Sequence, residues 1–212
     1  MKKIEEYLML AKERPHLFTN EGLEVILDKD VIEEFEANGG REIGIAYESP
    51  WRYLLVDLVR NSAGKLFAYE RVVPVKSGGV AILPVYHDKI VMIHEYRHPV
   101  QGYRWEIPRG FGSQGISSRQ NAAKELAEET GIKSAKFRQL GQMNTDSGLT
   151  SDQVDLFLAE VEELSISLEN KERTEAIERI RLFSKEEIKE MIRDHEMVDS
   201  FTLSALSIYL LD

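Results

Sequence analysis

Three stretches between residues 94 and 132 bring together residue types that can do chemistry. His94-Glu95-Tyr96-Arg97-His98 is a literal H-E-x-x-H. In a zinc peptidase the two histidines of that motif bind metal from one helix face, and the glutamate is the base. The neighbouring sequence argues for a strand instead. Lys89-Ile90-Val91-Met92-Ile93 is β-branched, and Pro99 stops any helix directly after His98. Two polar histidines at a strand end is the plainer reading, and a zinc peptidase ranks third among the functions considered. Gly110-Phe111-Gly112-Ser113-Gln114-Gly115 is a literal G-x-G-x-x-G. A dinucleotide fingerprint needs an apolar strand before it and an acid about 20 residues on, at a strand end. Here charged, proline-broken Arg104–Arg109 precedes it, and Glu128 and Glu129 fall inside a helical pattern, so a glycine-rich turn entering a helix accounts for the glycines.

The third stretch is Asn121-Ala122-Ala123-Lys124-Glu125-Leu126-Ala127-Glu128-Glu129-Thr130-Gly131-Ile132. Ser117 with Gln120 predicts a capping box at its start, and Gly131 a C-terminal stop. At about 100° per residue, Ala122, Ala123, Leu126, Ala127 and Thr130 share one arc, and Glu125, Glu128 and Glu129 the other. Like charges at such spacing weaken a helix by roughly 0.2–0.5 kcal/mol per pair. A hard divalent cation converts that repulsion into ligation, because magnesium and manganese favour carboxylate oxygens. On spacing alone, a solvated acidic face is the simpler explanation.

The elements around these residues read as a mixture. Ile4, Leu8 and Ala11 give residues 2–12 a helical period that Pro15 ends. Asn38-Gly39-Gly40 marks a loop. Tyr53–Val59 and Leu66–Val73 flank Asn61-Ser62-Ala63-Gly64 as a hairpin, and Val80–Tyr86 and Ile90–Ile93 are split by His87-Asp88. A helix is predicted at 118–130, strands near 136–143, 153–161 and 176–183, and helices near 184–193 and 199–210. Strands and helices do not alternate regularly, so the expected class is α+β, a sandwich rather than a doubly wound sheet.

Composition narrows the partners. The 212 residues carry 27 Lys+Arg against 37 Asp+Glu, a formal charge of −10, which opposes binding to a nucleic-acid backbone. With no cysteine, thiolate metal sites, thiol nucleophiles and disulfides are excluded. The stretch Tyr7–Ala11 is too short for a signal peptide and Phe201–Leu211 too short for a membrane span, so a soluble cytoplasmic location without membrane partners is expected.

Gly110 followed by Lys124–Ile132 resembles the box of the Nudix hydrolases, G-x5-E-x7-R-E-U-x-E-E-x-G-U with U apolar. Gly110, Glu125, Leu126, Glu128, Glu129, Gly131 and Ile132 match it, while Ile116 stands for the first Glu and Lys124 for the Arg. Lys76–Pro84, Glu95–Pro99, Trp105–Pro108 and Glu175–Glu178 are similar to the ADP-ribose pyrophosphatase branch. The resemblance covers about residues 51–212.

It implies a Nudix α/β/α sandwich with a mixed sheet over 76–212, and over 1–75 a small β-rich region that pairs two subunits, joined there by the N-terminal helix, which has no counterpart in the branch. It implies hydrolysis of the diphosphate in a nucleoside diphosphate linked to another group, such as ADP-ribose, a nucleotide sugar or a dinucleotide, with Mg2+ or Mn2+. Carried over by position, Glu125, Glu128 and Glu129 are metal ligands, Glu129 with a direct part in catalysis. Arg97, Arg109, Gly110 and Gly148 are substrate contacts, and the Arg109 carbonyl has a metal-binding counterpart in this branch. The general base is expected in a late loop that offers Glu169, Glu172 and Glu175, with Glu175 preferred and Glu178 placed in the following strand. Trp51, Tyr53 and Tyr69 are candidates for an aromatic platform. Departures are Ile116, which removes a supporting carboxylate, and Lys124, a point charge in place of a planar fork. In addition, Asp146-Ser147-Gly148 lacks the proline of the branch's S-P-G turn. They also suit an alternative, a Nudix-fold ligand-binding or regulatory module with weakened catalysis.

Overall fold

The computed structural model describes residues 3–19, 22–76, 78–113, 115–169 and 176–211, and the chain divides into two compact units. The first comprises Met1–Val75 with Asp146–Ser151, and the second Lys76–Thr145 with Asp152–Asp212.

In the first unit, α1 (Lys3–Glu13) is followed by β1 (Glu24–Val25), α2 (Lys29–Ala37), β2 (Gly44–Glu48), β3 (Arg52–Arg60) and β4 (Leu66–Pro74). β3 is the central strand, pairing β4 along its whole length and β1 and β2 on its other edge, all antiparallel. Helix α2 was not foreseen from sequence, although Asp28 caps it by accepting from the amides of Asp30 and Val31. Ile4, Tyr7, Leu10, Ile32, Leu55 and Leu58 lie in this unit's core.

The second unit holds a seven-stranded sheet. Its strands are β5 (Gly79–Tyr86), β6 (Lys89–Arg97), β7 (Gly102–Glu106), β8 (Arg109–Gly110), β9 (Ser134–Asn144), β10 (Gln153–Glu163) and β11 (Ile177–Phe183). The main order is β11-β6-β5-β10-β9, with β5 and β10 parallel and the other pairs antiparallel. One face packs on α3 (Ser118–Thr130) through Val80, Ile82, Ala122, Leu126 and Phe157. The other packs on α4 (Lys185–Arg193) and α5 (Ser200–Leu211) through Leu83, Met92, Ile188 and Leu206. Helices on both faces of a mixed sheet make the expected α/β/α sandwich.

The feature that matters for chemistry is a parting of two strands. β5 and β6 pair only at Val85–Ile90 and Tyr86–Lys89, beside a turn in which His87 and Asp88 both have positive φ. Further on, β8 takes the edge of β5 and β7 takes the edge of β6. The H-E-x-x-H residues 94–97 therefore belong to a strand and His98 to a 3-10 turn, so the two histidines share no helix face. Among the described residues, no helix is long and apolar enough to cross a membrane.

Candidate active site

The carboxylates of α3 are set by the ends of their helix. Ser117 Oγ accepts from the Gln120 amide and Gln120 Oε1 accepts from the Ser117 amide, which completes the expected capping box. Gly131 stops the helix at φ 81°, a left-handed conformation that a side chain would strain. Between these stops Glu125 and Glu129 are buried, and Glu128 is partly exposed.

Strand β8 runs directly beneath them. The Arg109 amide donates to Glu129 Oε2 at 3.1 Å. A Cβ added at Gly110 would overlap the Glu125 carboxylate, so only glycine lets the backbone lie so close. Lys124 Nζ meets Glu128 Oε2 at 2.7 Å and Glu125 Oε1 at 3.1 Å. The hydrogen bond to Glu128 is the main cause that raises the Lys124 pKa. Its ammonium thus already bridges two of the three box carboxylates. As folded here, no group of three or more His, Asp or Glu among the described residues is arranged to hold a metal ion. The donor set nevertheless fits a hard cation. Three carboxylates lie within one helical turn, two already share one positive charge, and Gly110 leaves no side chain in the way.

Beside this face lies a second, buried charge network. Glu106, only 1% exposed, accepts from Arg97 Nε at 2.7 Å and faces Arg109 Nη2 at 3.4 Å. Arg97 Nη2 stands 2.9 Å from Glu95 Oε2, yet neither atom has a hydrogen bond of acceptable geometry. Burial pushes the Glu95 carboxyl up to about 7; Arg97 opposes this shift and Glu106 adds to it. Burial also opposes the charge of Arg97, but Glu106, Glu95 and Glu129 outweigh it and raise its pKa. The Arg109 guanidinium lies 4.2 Å from the Phe201 ring centroid and 3.8 Å from Asp199, the residue that caps α5 through Thr202. Thr202 Oγ1 in turn accepts from the Ile107 amide at 3.0 Å, which ties the start of α5 to the segment between β7 and β8, just before Arg109.

Of the residues singled out by sequence, Arg109, Gly110, Glu125 and Glu129 meet directly, and Glu106 links Arg97 to Arg109. Gly148 belongs to the first unit, where its carbonyl accepts from Tyr69 Oη at 3.1 Å. Trp51 is well exposed, while Tyr53 is half-buried with Arg14 over its ring. Glu172 and Glu175 lie outside the described residues. Glu169 follows Ser167 in a loop, its amide donating to the serine hydroxyl. Glu178 sits in β11 and pairs with His94 Nδ1 at 3.1 Å, the interaction that chiefly lowers its pKa. From sequence, the buried carboxylate Glu106 has no assigned role, and Glu95 has one only as the base of the zinc-peptidase motif. Their sequence signal was charge inside strands, next to arginines two and three residues away. A cavity of about 260 Å³ near α4 is lined by Trp105, Phe183, Met191 and four carboxylates, and it includes none of the box residues.

The family model described as NUDIX domain matches residues 76–201, more than half of the chain. An ADP-ribose pyrophosphatase from Bacillus subtilis (strain 168) is 31% identical over 156 residues, covering 72% of this chain and 82% of that protein. A methanol dehydrogenase activator from Bacillus methanolicus is 29% identical over 133 residues, covering 61% and 70% respectively. In fold, the chain is similar to a crystal structure of an ADP compounds hydrolase at TM-score 0.68. Identity there is 19%, over 79% of this chain and 89% of that one.

Proposed function

The chain belongs to the Nudix family of hydrolases, and on that premise we propose that it hydrolyses the diphosphate of a nucleoside diphosphate joined to another group, with ADP-ribose the first substrate to test. The observation that carries this reading is the meeting of the box carboxylates with the β8 edge: the Arg109 amide on Glu129 and Gly110 against Glu125, with Arg97 held nearby by Glu106. A diphosphate repels nucleophiles through its own negative charge. Glu125, Glu128 and Glu129 would hold Mg2+ or Mn2+, which when bound neutralises that charge and acidifies an attacking water.

The chain's own residues supply the rest. Arg97 and Arg109 offer guanidinium forks suited to phosphate oxygens. Arg97 Nη2 stands against Glu95 Oε2 at 2.9 Å and also meets Glu106 Oε1, so two carboxylates fix its guanidinium in place. Glu106 keeps both guanidiniums oriented before substrate arrives, which lowers the entropy cost of binding. Glu175 is assigned as general base and Glu172 as its substitute. Support comes from the next residue, since the Ala176 carbonyl accepts from the Tyr96 amide and pins the chain beside Glu95. The first unit is assigned to pairing two copies, with exposed Tyr47 and Trp51 as its apolar surface. A light-scattering mass of 24.3 kDa at micromolar concentration would refute that pairing.

A second reading is a Nudix-fold ligand-binding module with weakened catalysis. It is favoured by the Lys124 bridge across Glu125 and Glu128. One experiment separates the two. ADP-ribose, NADH, dinucleoside polyphosphates and nucleotide sugars are incubated with Mg2+ or Mn2+, and products are identified by chromatography. Cleavage at the diphosphate supports the enzyme; saturable binding of intact compounds supports the module.

A further inference from the structure

Asn121 occupies a position in α3 that composition alone would give to a small apolar residue. It is 1% exposed, and its neighbour Ala122 packs in the core beneath the sheet. Its Nδ2 donates to the Phe111 carbonyl at 2.9 Å, while its Oδ1 is buried without a hydrogen-bond partner. An alanine there would favour the helix and leave no orphaned acceptor. The asparagine is therefore explained by its donor end.

What that donor holds is the exit of the chain from β8. Upstream, the strand is pinned, since Arg109 and Gly110 pair with Ala81 and Val80, and the Pro108 carbonyl accepts from the Ile82 amide. Downstream, Phe111 is 59% exposed and Ile116 40% exposed. Ile116, an exposed residue, stands where the box pattern has a carboxylate. A shift of the Phe111 backbone would be felt at once by two carboxylates, because Arg109 donates to Glu129 and Gly110 lies flush against Glu125.

We propose that Asn121 is a positioning residue: its amide ties the Phe111 carbonyl to α3, and that tie sets Arg109 and Gly110 against Glu129 and Glu125. The tie rests on geometry alone; its consequence for catalysis rests on the hydrolase reading above. Asn121 acts through the loop, by its hydrogen bond to the Phe111 carbonyl.

The test compares Asn121→Leu, which nearly keeps the shape and removes both polar atoms, with Asn121→Ala, which also removes the bulk. Hydrogen exchange of the segment 108–113 is read against the β3–β4 hairpin as internal control. Both variants should exchange roughly five- to tenfold faster in that segment, as losing one hydrogen bond implies, with the hairpin unchanged. Mn2+ binding to the protein alone, followed by electron paramagnetic resonance, should weaken by about 10–100-fold. In turnover of ADP-ribose, kcat should fall while KM moves by less than about threefold, since the loop sets the reacting groups rather than the nucleoside. Unchanged exchange in 108–113 would overturn the proposal. So would faster exchange throughout the protein with Mn2+ affinity and kcat kept, the pattern of a merely structural side chain. A wild-type protein that binds no Mn2+ and cleaves nothing would overturn the hydrolase reading, and the exchange data would still decide the tie.

Discussion

In the first unit, Tyr7 Oη donates to Asp57 Oδ1 at 2.6 Å, and Arg71 closes on the same carboxylate through Nε and Nη2 while its guanidinium covers the Phe18 ring. In the second, Arg97 and Arg109 share Glu106, with Glu95 beside them. Both networks bury carboxylates against arginines. They differ in completion. Among the described residues, the buried side-chain atoms left without hydrogen bonds are Glu95 Oε2, Arg97 Nη2 and Asn121 Oδ1, and all belong to the second unit. A network that satisfies itself has spent its bonding capacity on the fold. One whose guanidinium nitrogen and carboxylate oxygen face each other at 2.9 Å without an aligned hydrogen bond holds buried charge at a cost in stability.

The comparison breaks most visibly in the first network. Asp57→Ala leaves buried Tyr7 and half-buried Arg71 without their acceptor and should destabilise the protein by about 3–5 kcal/mol in denaturant unfolding. Activity per folded molecule should persist. Loss of activity without loss of stability would mean that this network, too, serves the chemistry.

Glu129→Gln inverts that pattern. It removes one box carboxylate oxygen while the amide oxygen can still accept from Arg109, so folding should be retained. Turnover with Mg2+ should drop at least about 10²-fold, since metal-assisted charge stabilisation is worth several kcal/mol. A rate within a few fold of wild type would detach Glu129 from metal binding.

Glu95 sharpens the contrast through pH. Its folded pKa of about 7 lies above the ordinary 4.5, so the folded state holds the proton more tightly than the unfolded chain. The stability this supplies is complete below about pH 4.5 and is lost as pH rises through about 7. Glu95→Gln should therefore be more stable than wild type at pH 8, by on the order of 1–3 kcal/mol, with the advantage shrinking toward pH 4. Thermal unfolding across that range checks it, and a variant less stable at pH 8 would show Glu95 to be a satisfied partner of Arg97.

How much of this was legible beforehand depended on whether the signal was local. Helix α3 was readable to its ends, because Ser117, Gln120 and Gly131 act within a few residues of the bonds they cap. The β3–β4 and β5–β6 hairpins were readable from apolar runs around short turns. β7 was not, because Arg104 and Glu106 interrupt its apolar pattern, and Glu106 meets Arg97 only through tertiary pairing with β6. Helix α2 carried a readable cap in Asp28 that was overlooked. In the site, the box glutamates followed from spacing and resemblance. The link from Arg109 to Asp199 and Phe201 joins segments distant in sequence, and no local pattern announces it. Asn121 was read only as part of a helix; its hydrogen bond to Phe111 depends on how the loop folds back.

The smallest expected effect concerns the two departures from the box. Ile116→Glu combined with Lys124→Arg should lower the Mg2+ concentration for half-maximal rate by a few fold, roughly the range of a restored neighbouring ligand contact. The changes belong together, since groups of one network do not act additively. An unchanged or higher requirement would indicate that the site is built around Ile116, with Asn121 as its tie.

The most direct measurement is hydrolysis of ADP-ribose in 18O-enriched water with Mg2+, with products resolved by mass spectrometry. Water attack on the diphosphate predicts AMP and ribose 5-phosphate, with one 18O per turnover in the phosphate of one product, and no reaction in excess EDTA. Intact substrate, label in a sugar hydroxyl rather than a phosphate, or an undiminished rate in EDTA would contradict the account.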